Sequence, residues 1–340
     1  MAGARPSSMA DVAERAGVSV ATVSRALRGS PLVSPETTDR VAQAAHDLSF
    51  AISRAASSLA TGKLDRVAVL VSGSLGSWFN GCLLDTVYQT LHDRGQELLI
   101  YRTLSTGERD EFFATLPARR NADALIVASL ELTAEQQQRL HQLGLPLVFV
   151  NHRLAGAASV SIDDAAGAAV ATQHLINLGH RRIAYVGLHH EPGVRVSSAF
   201  RLAGYRQAMK AAKVPGRDQL LITTPRPADG EDVVGQLLSQ AQPPTALLVE
   251  SDDLAMRVLA ATWRVGMRTP QDLSVVGFDD HAMASVFGLT TMAQPVDQLG
   301  RQAAELALTL AGGTAPRRKT VTVPTTLVLR DTTGRPPKRT

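Results

Sequence analysis

Two rhythms of apolar and polar residues divide this 340-residue chain. From Asp65 onward, apolar runs at 66–72, 97–102, 123–129, 146–150, 182–187, 245–249 and 273–277 predict strands. Amphipathic stretches between most of them predict helices. The runs are apolar at nearly every position rather than every second one, as in strands covered on both faces. Repeated βα units of this kind predict parallel sheets packed between helices, and about 270 residues are enough for two similar lobes.

Before Asp65 the period is helical and the elements are short. Ser8 suits an N-cap, with Asp11 where a capping box places its acid. Val12 and Ala16 share one face, and Gly17 tolerates the left-handed turn that ends a helix. Ser19 caps a second helix in which Val23 and Leu27 face inward, leaving Val20, Ala21, Ser24 and Arg25 facing out. Ser34-Pro35 opens a third helix, with Val41, Ala45 and Leu48 at i, i+4 and i+7. Two short helices joined by a tight turn, steadied by a third, predict a helix-turn-helix whose second helix lies in the DNA major groove.

Charge adds one constraint. The chain carries a net +4, yet residues 1–63 hold only seven Lys and Arg against five acids. A headpiece so weakly basic collects few phosphate contacts by itself, so two copies are expected on one DNA site. The single cysteine, Cys82, forms no internal disulfide and has no metal-ligand neighbours at a recognised spacing. No apolar run reaches the ~18 residues of a membrane span, and the N-terminus lacks a signal-peptide core. These features predict a reduced, cytoplasmic setting, no membrane, no metal and no cofactor. Hydrolase, phosphate-binding and dinucleotide motifs are missing from the sequence, so no catalytic residue is assigned and no enzyme is expected. Asp163-Asp164 and Asp279-Asp280 read as loop or strand-end carboxylates, and His180 as a structural helix-end histidine.

The words Asp-Val-Ala-x-x-Ala-Gly-Val-Ser-x-x-Thr-Val-Ser-Arg (11–25) resemble the signature of the LacI/GalR family of bacterial transcription regulators. The likeness extends through 174–187, 201–205, 274–280 and 289–295, nearly the whole chain. It implies an all-α helix-turn-helix headpiece at 1–49, a hinge at 50–63, and a two-lobed α/β sensor of the periplasmic-binding-protein type at 64–334. A disordered basic tail is expected at 335–340. The likeness assigns base reading to Val20, Ala21 and Arg25. Arg25 can bond guanine O6 and N7, whereas Val20 and Ala21 offer only apolar contact, as with thymine methyls. Ser19, Thr22 and Ser24 fit phosphates or plain helix surface.

The hinge of such proteins is a short helix that orders on operator DNA and inserts a leucine into the minor groove. By resemblance Arg54, Ala56 and Leu59 fall in that helix, with Leu59 at the wedge. Ile52 replaces the usual proline, and Ser57 an arginine often found there. The effector site is expected at the carboxyl ends of the sensor strands. Arg201 stands at the family's effector-arginine position and Asp279 at its aspartate, joined by Trp78, Asn151, Arg153, Ser251 and Gln294. Gly76-Ser77-Trp78-Phe79 departs from the usual Asn-Pro-Phe-Phe, Ser251 from asparagine and Asn151 from aspartate.

The reading is therefore a homodimeric repressor of near-palindromic operators, controlled by a small molecule, a sugar or related metabolite, acting as inducer or corepressor. Three alternatives stand beside it. A transport or chemosensory binding protein would be exported and would lack the headpiece. An enzyme would turn its ligand over. A regulator of the same type could answer to a protein corepressor instead.

Overall fold

The computed structural model describes residues 7–27, 30–50, 63–154, 156–188, 196–215, 219–224 and 230–338. Residues 1–64 and 65–340 form two separate units.

The first unit is built on α1 (Met9–Ala16), α2 (Val20–Ala26) and α3 (Pro35–Asp47). Its ends are locally encoded. Ser8 and Asp11 close a capping box, and Gly17 (φ +66°) takes the left-handed conformation at the end of α1. Ser19 and Ser34 cap α2 and α3 through the amides of Thr22 and Thr37. Val12, Val23 and Val41, one from each helix, are fully buried, with Leu27 and Leu48 packed at the edge. A 2.9 Å ion pair between Arg15 and Asp47 ties α1 to α3.

The second unit has two lobes. Lobe 1 begins with β1 (Arg66–Ser72), α4 (Trp78–His92), β2 (Glu97–Thr103), α5 (Thr106–Thr115), β3 (Ala124–Ala128), α6 (Ala134–His141), β4 (Leu147–Val150) and β5 (Ala158–Ile162). The chain then crosses over. Lobe 2 contains α7 (Asp164–Asn177), β6 (Ile183–Leu188), α8 (Val196–Ala211), β7 (Gln219–Thr224), α9 (Gly230–Leu238), β8 (Ala246–Val249), α10 (Asp252–Arg264), β9 (Ser274–Asp279) and β10 (Thr290–Ala293). Helix α11 (Val296–Ala311) and β11 (Thr320–Val323) return to lobe 1, and β12 (Thr326–Val328) ends in lobe 2.

Both sheets repeat one topology, β2-β1-β3-β4-β5-β11 and β7-β6-β8-β9-β10-β12, parallel throughout except for β12 against β10. Each crossing helix covers the lobe it enters: α7 packs on α8 and the second sheet, and α11 on α4 and the first. Apolar side chains alternate between the two faces. Val67, Val69 and Val71 join one core layer, while Ala68 and Leu70 join the other. That double burial is why these strands are apolar at every position.

All seven expected strands form, each within one or two residues of the expected ends. Five others, β5, β7, β10, β11 and β12, are short or rich in Ser and Thr, so their runs carry no clear apolar signal. The C-terminal segment, where a tail is expected from residue 335, starts with firm anchors. His180, buried at the end of α7, meets the Gly334 carbonyl through Nε2 at 2.9 Å and the Thr245 hydroxyl through Nδ1 at 2.8 Å. A carbonyl only accepts, so Nε2 carries the proton and Nδ1 accepts from Thr245. Pro336 lies beside Gly179, where a Cβ would meet its ring at 3.5 Å. His180 is thus structural.

Candidate DNA-reading surface and effector cleft

Helix α2 presents the residues expected to face DNA. Val20 is 46% exposed, Ala21 and Arg25 are exposed, and Thr22 and Ser24 are half-buried. The i, i+3 pair Val23 and Ala26 is buried beneath them. Ser19 is engaged locally: its hydroxyl accepts from the Thr22 amide at 3.1 Å and lies 2.9 Å from the Thr22 hydroxyl. The exposed face of α2 therefore offers two small apolar groups in its first turn and one guanidinium in its last for a groove. Arg54, Ala56 and Leu59, with Ile52, lie outside the described residues.

In the second unit, a cavity of about 320 Å³ opens between the lobes at the carboxyl ends of the strands. Its volume suits a small molecule. Trp78, Asn151, Arg201, Ser251, Asp279 and Gln294 all line it. They come from α4, the β4 end, α8, the β8–α10 turn, β9 and the β10 end, so only the fold brings them together. Arg153 does not line it. Three residues beyond β4 it is exposed, and its guanidinium bonds the Thr322 hydroxyl of β11 at 3.0 Å. The turn after β4 carries Asn151 inward (φ +55°) and Arg153 out along the sheet edge.

Arg201 is the centre of the site. It is buried, with Nε 2.8 Å from Asp164, Nη1 on the Glu250 carbonyl and 3.4 Å from Asp279, and its guanidinium carbon 3.7 Å from the Phe278 ring centroid. Burial works against its charge, but Asp164 and Asp279 hold its pKa above the ordinary arginine value. Gln294 donates to the same Asp279 oxygen at 2.6 Å. Asn151 accepts from the Ile162 amide at 3.4 Å, which leaves its NH2 as the donor. Asn80 donates to the Ser72 and Ser74 carbonyls and shapes the loop under Trp78. The Trp78 ring lies 5.8 Å from that of His281, in the other lobe.

Asp164 and Glu250 were not among the expected site residues. Asp164 reads as a loop or strand-end carboxylate in the sequence, and its partner lies 37 residues away. Glu250 directly precedes Ser251 at a strand end, which was the available signal.

Residues 8–52 match the family described as bacterial regulatory proteins, lacI family, and residues 172–333 match the periplasmic binding protein-like domain. The transcriptional regulator GalS of Salmonella typhimurium strain LT2 is 34% identical over 310 residues, covering 89% of this chain and 90% of GalS. This chain belongs to the LacI family of bacterial regulatory proteins. Like other LacI-family members, it is a DNA-binding transcriptional regulator. A lac repressor dimer bound to operator and the anti-inducer ONPF aligns with a TM-score of 0.85 and 26% identity, over 97% of this chain and 100% of the repressor chain. A complex of the regulator CelR with cellobiose aligns at 0.70 and 29%, over 96% and 99%. These relatives are regulators, not enzymes. No helix among the described residues is long and apolar enough to cross a membrane.

Proposed function

We propose that this LacI-family regulator is a homodimeric repressor whose grip on a near-palindromic operator is controlled by a small molecule in the cleft of residues 65–340. One observation carries the reading. The same chain holds a helix with Val20, Ala21 and Arg25 turned to solvent and a polar cavity built around Arg201. A regulator of this kind works in the cytoplasm, where its DNA is. Two headpieces supply the phosphate contacts that one weakly basic headpiece lacks. The ligand acts by favouring one arrangement of the lobes, and a coupling of about 1–3 kcal/mol is enough for a switch. The lac repressor dimer on its operator and the sugar-bound CelR support both halves.

In this reading Arg25 specifies a base, while Ser19, Thr22 and Ser24 set register. Fluorescence anisotropy on selected palindromic DNA and on random DNA tests it. Arg25→Ala is expected to cost about 1–3 kcal/mol on the selected site and to relax one base position. Affinity for random DNA is expected to change little. Equal losses on both DNAs would remove the base-reading role, and no sequence preference at any salt would remove the regulator's operator.

A further inference from the structure

We propose that lobe 1 of the sensor carries a second DNA-binding surface, one that holds phosphates flanking the operator without reading their bases, a proposal resting on the operator reading of the headpiece. The strands of lobe 1 are parallel and all begin at one end of the sheet. Three loops at that end carry exposed cations: Arg94 before β2, Arg119 and Arg120 before β3, and Arg317, Arg318 and Lys319 before β11. Backbone bonds fix these loops to the strand starts. The Glu97 amide donates to the Asp65 carbonyl at 2.8 Å, the Asp123 amide to Arg66 at 2.8 Å, and the Ser159 amide to Lys319 at 2.7 Å. From β2 at one edge to β11 at the other there are five strand spacings, so the face is about 24 Å wide.

No hydrogen bond or ion pair engages any of these six side chains among the described residues. The acids at the same end are fewer and mostly engaged. Glu97 pairs with Arg66 at 2.7 Å, Asp123 accepts from the Arg66 amide at 3.2 Å, and Asp65 accepts from Gln96 at 3.1 Å, which leaves Asp93 exposed. Helix ends do not account for the cations, because a charge complements a helix dipole only within the last turn. Arg94 lies two residues beyond α4, but Arg119 lies four beyond α5 and Arg317 six beyond α11. Six such cations beside one exposed acid suit a polyanion. DNA is the polyanion tied to this face, since the segment from the DNA-reading headpiece enters the sensor here, at the start of β1. The headpiece has seven Lys and Arg against five acids, and each protomer's lobe 1 adds six more cations. Contacts to phosphate oxygens add affinity and salt dependence, not sequence preference.

Anisotropy with the full-length protein tests this on two duplexes, the selected palindrome alone and the same palindrome extended by about two helical turns of random sequence on each side. Longer DNA attracts any cationic protein, so the readout is the difference between the native chain and the triple variant Arg317→Gln, Arg318→Gln, Lys319→Gln. On the extended duplex the variant is expected to bind at least about tenfold more weakly at low salt, with a salt slope shallower by at least about 1. On the palindrome alone the two proteins are expected to agree within about twofold. The double variant Arg317→Lys, Arg318→Lys keeps the charge and is expected to match the native chain on both duplexes. Equal binding by native and triple variant on the extended duplex overturns the proposal and leaves the operator reading standing. An equal loss on both duplexes also overturns it, because the flanks then play no part. A native chain with no preference for any sequence removes the operator reading, and the proposal with it.

Discussion

Arg201 holds Asp164 and Asp279 together in a place from which water is largely excluded. Its neighbours were assembled by folding, so the residue we propose as a ligand contact is also part of the lobe's packing. Arg201→Ala removes the counter-charge of a buried carboxylate, Asp164, and is expected to cost about 3–5 kcal/mol of stability in urea denaturation followed by circular dichroism. A loss below about 1 kcal/mol would mean that Asp164 finds another partner. The polar neighbours Ser251 and Gln294 are therefore better probes of ligand binding than Arg201. Arg153 teaches the opposite lesson. It has the right charge three residues from a strand end, and the turn after β4 points it to Thr322 instead of the cavity.

The decisive contacts between elements are backbone approaches. Helices α7 and α8 pack so closely that a Cβ on Gly204 would lie 2.0 Å from the Ala165 carbonyl oxygen. Gly204→Ala must push the helices apart, with an expected loss of at least about 1–3 kcal/mol. Calorimetric unfolding should register it in the sensor unit and leave headpiece DNA contacts intact. Because α7 begins with Asp164 and α8 carries Arg201, the same shift should weaken ligand binding. An unchanged melting temperature would show that the helices separate at little cost. In the headpiece the elements were legible at once, since caps and stops act within four residues: Ser8 with Asp11, Gly17, Ser19 and Ser34. In the sensor, a doubly buried strand announces itself only when long. The Ser and Thr of β5 and β11 hid two strands that the neighbouring β4 and Val323 make evident.

For the whole second unit, stability depends on groups that answer pH in opposite directions. Asp252 is buried beneath the cleft and pushed up to about 6, chiefly by burial, although the Thr291 hydroxyl and the His281 amide favour its charged form. The folded chain binds this proton more tightly than the unfolded one. The resulting stability is present in full below about pH 4 and is lost as pH rises through about 6. His152, His174 and His180 are held below the ordinary histidine value by burial. Their contribution is present above about pH 6.5 and is lost as pH falls. Comparing Asp252→Asn with the native chain isolates the acid. From pH 5 to pH 7.5 the variant's melting temperature should rise relative to the native protein, whatever constant penalty the lost acceptor imposes. A parallel pair of curves would mean that Asp252 is ionised at both pH values.

By itself, the sequence determined everything that depends on near neighbours: helix caps, the exposed face of α2, the long buried strands, and which residue types stand at strand ends. It also carried the family words, and with them the two-part plan of a DNA reader joined to a sensor. Tertiary structure alone decided which of those strand ends meet. It sent α7 and α11 across to the opposite lobes, placed Asp164 and Glu250 around Arg201, turned Arg153 outward and anchored residues 334–336 near His180. The physical reason is range. A cap or a periodicity is satisfied within a turn or two, whereas a buried charge is satisfied by whatever the sheet order and the crossing helices bring beside it.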